Sequence, residues 1–314
     1  MNQSAPGSSA FVRAEQIFAQ RLGVDLREHY VQLPGPIRRA RVLETGVGAP
    51  LLFVHGGGGF ASQWLPLMAA IDGRRLIAVD RPGCGLSDGF DYDGCPSPRA
   101  HAVEFLSGVL DALELARADI VANSMGGLWS LWLALDKPDR VRSLALAGCP
   151  ALVVGTSTPL LMRVMSRSLT RNLLIKGMER PTTPSQMRRG FKMALGHDTD
   201  TMEAASPGVC EFFAASNTIP GAAASFVSLL HRVLRLGGAQ PDCALGVDEL
   251  QSLAVNPLVV WGSSDPFGDA SAARRFAAAT GARLEFVGVG HLPWLDDPVR
   301  VADLITVHLA EHID

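Results

Sequence analysis

The 314-residue sequence predicts an α/β fold: a mostly parallel, doubly wound sheet interrupted by one helical insertion. Three observations carry that expectation. Apolar runs of strand length alternate with helical patterns along most of the chain. Several of the runs, such as LLFV at 51–54 and LVVW at 258–261, are continuously apolar, as strands covered on both faces are. The alternation fails only between about 155 and 248, where helical periodicity continues without convincing strands.

The first 28 residues read as a tail with a short amphipathic helix. Strands are expected at 29–33, 39–43, 51–55, 76–80, 120–124, 141–147, 258–261 and 284–287. Helical spacing appears at 64–71, 100–115, 126–135, 271–279 and 299–308. The last helix has a capping Asp297 followed by Pro298 at its first turn. The expected organisation is therefore an N-terminal tail and helix (1–28), a core (29–154 and 249–314) and a helical insertion (155–248). The insertion holds six of the nine methionines: Met162, Met165, Met178, Met187, Met193 and Met202. These are either ordinary packing or a malleable apolar pocket wall. It is also locally basic, through Arg163, Arg167, Arg171, Lys176, Arg180, Arg188, Arg189 and Lys192, which read as a solvated helix face.

Composition narrows the function classes. Formal net charge is -3 and no long basic run occurs, so nothing points to nucleic acid. The five cysteines (Cys84, Cys95, Cys149, Cys210, Cys243) show neither CxxC pairing nor metal-ligand spacing, and read as buried thiols in a reducing compartment. The N-terminus lacks the pattern of a signal peptide, and no segment approaches the roughly 20 apolar residues of a membrane span. A soluble cytoplasmic protein without metal or organic cofactor is the expectation. Its expected partner is a small-molecule substrate, with self-association left open.

Four segments carry chemistry. At NSMGG (123–127), an apolar strand runs into a small-x-Ser-x-Gly-Gly turn and then a helix, the setting of a nucleophile elbow on Ser124. The turn demands small residues two before and two after the serine, and Ala122 and Gly126 supply them. The Met125 amide, at the start of the helix, points at developing negative charge. At HGGGG (55–59) glycines follow a strand, and the Gly57 amide is the candidate second oxyanion donor. A phosphate-binding loop is the rival reading, disfavoured because neither a GK[ST] ending nor a complete G-x-G-x-x-G pattern with its acid is present. His55 reads as a structural hydrogen-bonder. After the strand PLVVW stands Asp265, the expected acid, with Asp269 a competitor that looks like a helix-start residue. After the strand LEFV stands His291, in a loop able to reach the serine. Oxyanion loop, nucleophile, acid and base thus follow in one chain order, each at a strand end.

On these motifs the chain resembles the α/β-hydrolase superfamily, with the insertion matching its helical cap. The loop DRPGCGLSD (80–88) resembles the one that family members carry after their fourth strand, which implies a mainly structural role. NSMGG and HGGGG are similar to the meta-cleavage-product hydrolases, which split carbon–carbon bonds. Those enzymes usually carry Trp directly after the catalytic His, where this chain has Leu292. Ser124 argues against the haloalkane dehalogenases and epoxide hydrolases, which usually place Asp at the elbow.

The expected activity is hydrolysis of a small, largely apolar ester or lactone through an acyl-enzyme, with Ser124, His291 and Asp265 catalytic. Asn123 and Trp294 are expected substrate contacts, with Trp64 and Trp129 as further apolar walls. Two alternatives stand beside it: a carbon–carbon hydrolase, and a small-molecule receptor that reuses the fold.

Overall fold

The computed structural model describes residues 6–165 and 171–312. Eight strands form one sheet: β1 (Arg27–Gln32), β2 (Arg39–Thr45), β3 (Ala49–Val54), β4 (Arg74–Val79), β5 (Ala118–Ala122), β6 (Val141–Ala147), and, beyond the two-residue hairpin strands β7 (Leu234–Arg235) and β8 (Gly238–Ala239), β9 (Leu258–Trp261) and β10 (Arg283–Phe286). Their order is β1-β2-β4-β3-β5-β6-β9-β10. β2 runs antiparallel to both its neighbours, and every later pairing is parallel. All eight sheet strands fall within two residues of their sequence-based positions. Those expected at 51–55, 76–80 and 120–124 end one or two residues early, because His55 and Asp80 already belong to the following loops and Ser124 to the following helix.

Alternation along the strands divides the core into two faces. Leu52 and Val54 of β3, with Ile120 and Ala122 of β5, face one apolar cluster; Leu51, Phe53 and Val121 face the other. The helices of the core are α2 (Leu65–Met68), α3 (Pro98–Ala112), α4 (Ser124–Asp136), α11 (Val247–Gln251), α12 (Ala270–Thr280), α13 (Pro293–Asp296) and α14 (Pro298–Ala310). Asp297 caps α14 by accepting the Arg300 amide at 2.9 Å, and Asp269 caps α12 by accepting the Ala272 amide at 2.9 Å.

Between β6 and β9 the chain forms α5 (Leu160–Met165), α6 (Arg171–Met178), α7 (Pro184–Leu195), α8 (Thr199–Ala205), α9 (Val209–Ser216) and α10 (Ala222–Val233). Two features depart from expectation. The insertion contains the β7–β8 hairpin, too short for periodicity to show; Gly238 opens its second strand at φ 127°. The expected N-terminal helix is also longer than a short one, and it is docked. The helix α1 (Pro6–Arg21) is anchored on α9, with the Phe18 ring stacked on Phe212 at 4.7 Å and Phe11 fully buried. Its Glu15 forms a buried ion pair with Arg41.

Candidate active site

Ser124 opens α4 with φ 52°, a left-handed conformation that costs a non-glycine residue on the order of 1–3 kcal/mol. The surroundings hold it there. A Cβ on Gly126 would lie 2.3 Å from the Val54 carbonyl oxygen and 2.4 Å from that of His55, so only glycine fits two residues after the serine. Ala122, two before, is fully buried and its methyl is accommodated. Asn123 is the N-cap residue of α4, which leaves the Met125 amide in a first turn without an intrahelical acceptor. The glycine loop lies against this turn: a Cβ on Gly56 would be 3.0 Å from the Ser124 Cβ, and one on Gly57 would be 3.8 Å from the Met125 Cβ. Gly57 and Met125 therefore flank the serine together.

His291 Nδ1 lies 2.8 Å from Asp265 Oδ2. Asp265 is itself fixed, accepting the Phe267 amide at 2.9 Å and the Cys149 amide at 3.2 Å. Both side chains are buried, and the Phe267 ring packs 4.3 Å from the imidazole. With Nδ1 engaged, Nε2 is the nitrogen left for chemistry. His291 and Ser124 line one cavity of about 330 Å³ with Gly57, Met125 and Asn123.

The expected substrate contacts are placed differently from one another. Asn123 reaches the cavity wall, but its Nδ2 donates to the Ala147 carbonyl at 2.7 Å and to the His291 carbonyl at 3.2 Å. That nitrogen ties the elbow to the histidine loop. Trp294 is a correction. It is fully buried away from the cavity, stacked on Trp64 at 4.0 Å, with its Nε1 donating to the Gln63 carbonyl at 3.0 Å. Trp129 is buried too and carries the Arg81 guanidinium over its face. All three rings are buried in the core, and none of them lines the cavity.

The wall is instead made by residues with no motif around them. Phe226, Phe213, Phe267, Met162, Met187 and Leu229 supply its apolar surface. Gln63 also lines the cavity, and its buried Nε2 has no hydrogen-bond partner. Among the described residues no arginine or lysine lines it. Arg188 pairs with Asp200 and Arg171 with Asp93 at the surface, while Arg167 lies outside the described residues.

Two neighbouring loops are scaffolding. His55 is buried; Nε2 accepts the Arg81 amide at 2.9 Å and Nδ1 donates to the Gly56 carbonyl at 2.8 Å. Burial, reinforced by the Arg81 charge, holds its pKa well below the ordinary histidine value, so it stays neutral. Asp80 accepts the Ala61 amide at 2.6 Å and the Leu86 amide at 2.9 Å, and faces Arg41 at 3.6 Å. Burial pushes its carboxyl up to about 6 despite the opposing Arg41 charge.

Ser124 and His291 thus share one cavity, with Asp265 behind the histidine. The chain belongs to the alpha/beta hydrolase family, whose model matches residues 51–304. Among relatives it is 31% identical to a 2-hydroxymuconate semialdehyde hydrolase from Pseudomonas putida, over 87% of this chain and 91% of that protein. It is also 37% identical to the enzyme of the same name from Pseudomonas sp. (strain CF600), but that match spans only 40% of the relative. A 2-hydroxy-6-oxononadienedioate/2-hydroxy-6-oxononatrienedioate hydrolase from Paraburkholderia phymatum matches at 33% identity over 57% of its length. The fold is shared with the carboxylesterase CesB from Bacillus subtilis (TM-score 0.75, 19% identity, 98% and 100% of the two chains). It is shared likewise with the meta-cleavage product hydrolase from Pseudomonas fluorescens IP01 (TM-score 0.70, 22% identity, 90% and 97%). Among the described residues no helix is long and apolar enough to cross a membrane.

Proposed function

We propose that the chain hydrolyses a small, largely apolar acyl compound by nucleophilic catalysis at Ser124. The carrying observation is the strained Ser124 in a cavity shared with His291, whose Nδ1 is fixed by Asp265 at 2.8 Å. The Ser124 Oγ forms a bond to the acyl carbon while its proton passes to His291 Nε2. The Met125 and Gly57 amides stabilise the resulting oxyanion. Collapse breaks the bond to the leaving group, which takes the proton from His291. Water then adds to the acyl-enzyme, giving its proton to the same nitrogen, and the acid product leaves with Ser124 restored.

For the bond broken, the relatives favour carbon–carbon cleavage over the ester or lactone expected from the sequence. The relative matched over 87% of this chain is named for a muconate semialdehyde, and this reading takes precedence. The ester stands second, and one observation favours it. The compounds in the relatives' names are carboxylates, whereas the described cavity wall offers no arginine or lysine, and burying an unpaired carboxylate is costly. The deciding measurement is kcat/KM for a short-chain ester and for a vinylogous diketone on one preparation. A tenfold preference for the diketone, about 1.4 kcal/mol of differential transition-state binding, supports carbon–carbon cleavage. A tenfold preference for the ester reverses the order. Failure of both substrates, together with tight binding of either, moves the protein to the receptor reading.

A further inference from the structure

A second buried histidine–aspartate pair stands next to the first. His197, in the turn between α7 and α8, has Nδ1 2.7 Å from Asp296 Oδ1, and both side chains are buried. Its other nitrogen, Nε2, accepts the Leu292 amide at 3.2 Å. The bonds to the loop around His291 then form a continuous series. Asp296 Oδ2 accepts the Val289 amide at 2.9 Å and the Gly290 amide at 3.2 Å. The His291 amide donates to the Leu195 carbonyl, at the end of α7, at 2.8 Å. The Leu292 amide goes to His197, and the His291 carbonyl accepts Asn123 Nδ2. Four successive amides, from 289 to 292, thus end on the cap segment 195–197 or on the carboxylate that His197 holds.

Packing makes the clamp stiff. A Cβ on Gly290 would lie 2.5 Å from the His197 ring, so the loop rests directly on the imidazole. Gly196 turns the chain at φ 73°, and a Cβ there would be 3.0 Å from the Ser264 carbonyl oxygen, next to the acid. The helix that ends in this clamp also forms cavity wall, through Met187, Gly190, Phe191 and Ala194. One rigid element therefore touches both the substrate space and the backbone of the base.

We propose that His197 is a positioning residue for His291: the cap end of α7 latches the histidine loop, and the base is correctly set only with α7 seated. The proposal rests on the hydrolase reading above. His197 has no step in proton transfer, since both its ring nitrogens are committed. Its effect is geometric, and displacement of a catalytic group by about 1 Å can lower a rate on the order of 100-fold.

The test is a fluorophosphonate that phosphonylates Ser124, read as a second-order rate, beside kcat and KM on the best substrate. His197→Phe keeps a ring against Gly290 and Phe191 but removes both hydrogen bonds. The expected result is phosphonylation and kcat about 10–100-fold slower with KM within about threefold. His197→Gln, whose amide oxygen can accept the Leu292 amide, should recover at least threefold over the Phe variant. The proton shared by His291 Nδ1 and Asp265, observed far downfield by NMR, should shift or broaden in His197→Phe, which a merely stabilising role would leave in place. His197→Phe labelled within twofold of wild type, with that resonance unchanged, overturns the inference. Should His197→Phe fail to fold, the same rate and resonance in His197→Gln decide: both unchanged overturns it, a shifted resonance with a slower rate supports it. A wild-type protein that is not labelled at Ser124 sinks the hydrolase reading itself.

Discussion

His291–Asp265 and His197–Asp296 are the same chemical pair, with Nδ1 to carboxylate at 2.8 and 2.7 Å, both buried. They differ in what the second nitrogen meets. In the first pair the histidine borders the cavity beside Ser124; in the second, Nε2 is occupied by the Leu292 amide. Burial and a carboxylate partner therefore do not make a base. A free nitrogen facing a reactant does, and the second pair instead supports the first.

Substitutions can break this contrast. The largest effect belongs to Ser124→Ala, which should lower hydrolysis on the order of 10⁴–10⁶-fold with an unchanged melting temperature. A variant retaining a tenth of the activity would remove Ser124 from the mechanism. Asp265→Asn follows at roughly 10⁴-fold in kcat, because the amide favours the wrong imidazole tautomer. Asp296→Asn should cost far less activity, about 10–100-fold through misplacement of the loop. It should also lower stability by about 1–3 kcal/mol, since one carboxylate serves His197 and two backbone amides. Equal kinetic losses in the two aspartate variants would erase the distinction between the pairs.

A third carboxylate extends the comparison to the opposite end of the sheet. Asp119, near the start of β5, pairs with Arg142 at 2.6 Å and Arg74 at 3.0 Å and accepts the Ser143 hydroxyl at 2.7 Å. Burial alone would raise its pKa, but the Arg142 and Ser143 hydrogen bonds and the two guanidinium charges outweigh it and hold the carboxyl below the usual value. The sign follows. Its stabilisation is present above the unfolded aspartate value, about 3.9, and is lost as pH falls through the lower folded value. Thermal melts between pH 2 and 6 should show that loss. Asp119→Asn should flatten it and cost about 2 kcal/mol at neutral pH, less than a fully dry pair because both arginines reach solvent. An unchanged acid profile in that variant would deny Asp119 the role.

The smallest effect is expected at Asp269→Asn, within about 0.5 kcal/mol and without change in kcat/KM, since asparagine caps a helix as well as aspartate. A large kinetic loss there would transfer the acid's role from Asp265.

The sequence by itself determined the sheet, the tight turn at Ser124 and the pair formed by Asp265 and His291. Continuous apolar runs specify strands buried on both faces. The requirement for Gly126 at a turn whose backbone closes to 2.3 Å is written in the residue type, and Asp265 and His291 follow strands directly. These signals are local, so one stretch of chain suffices to read them. Tertiary structure alone decided the rest. Whether a tryptophan fills the core or walls a pocket depends on which helices close over it, and Trp294 went to Trp64. His197 carries no local motif, because its partner Asp296 lies 99 residues away. The cavity wall draws on residues as distant as Gln63, Met187 and Phe267, and only the docking of the cap on the sheet brings them together. Packing against distant chain carries no local periodicity, and so it left no mark for the sequence to show.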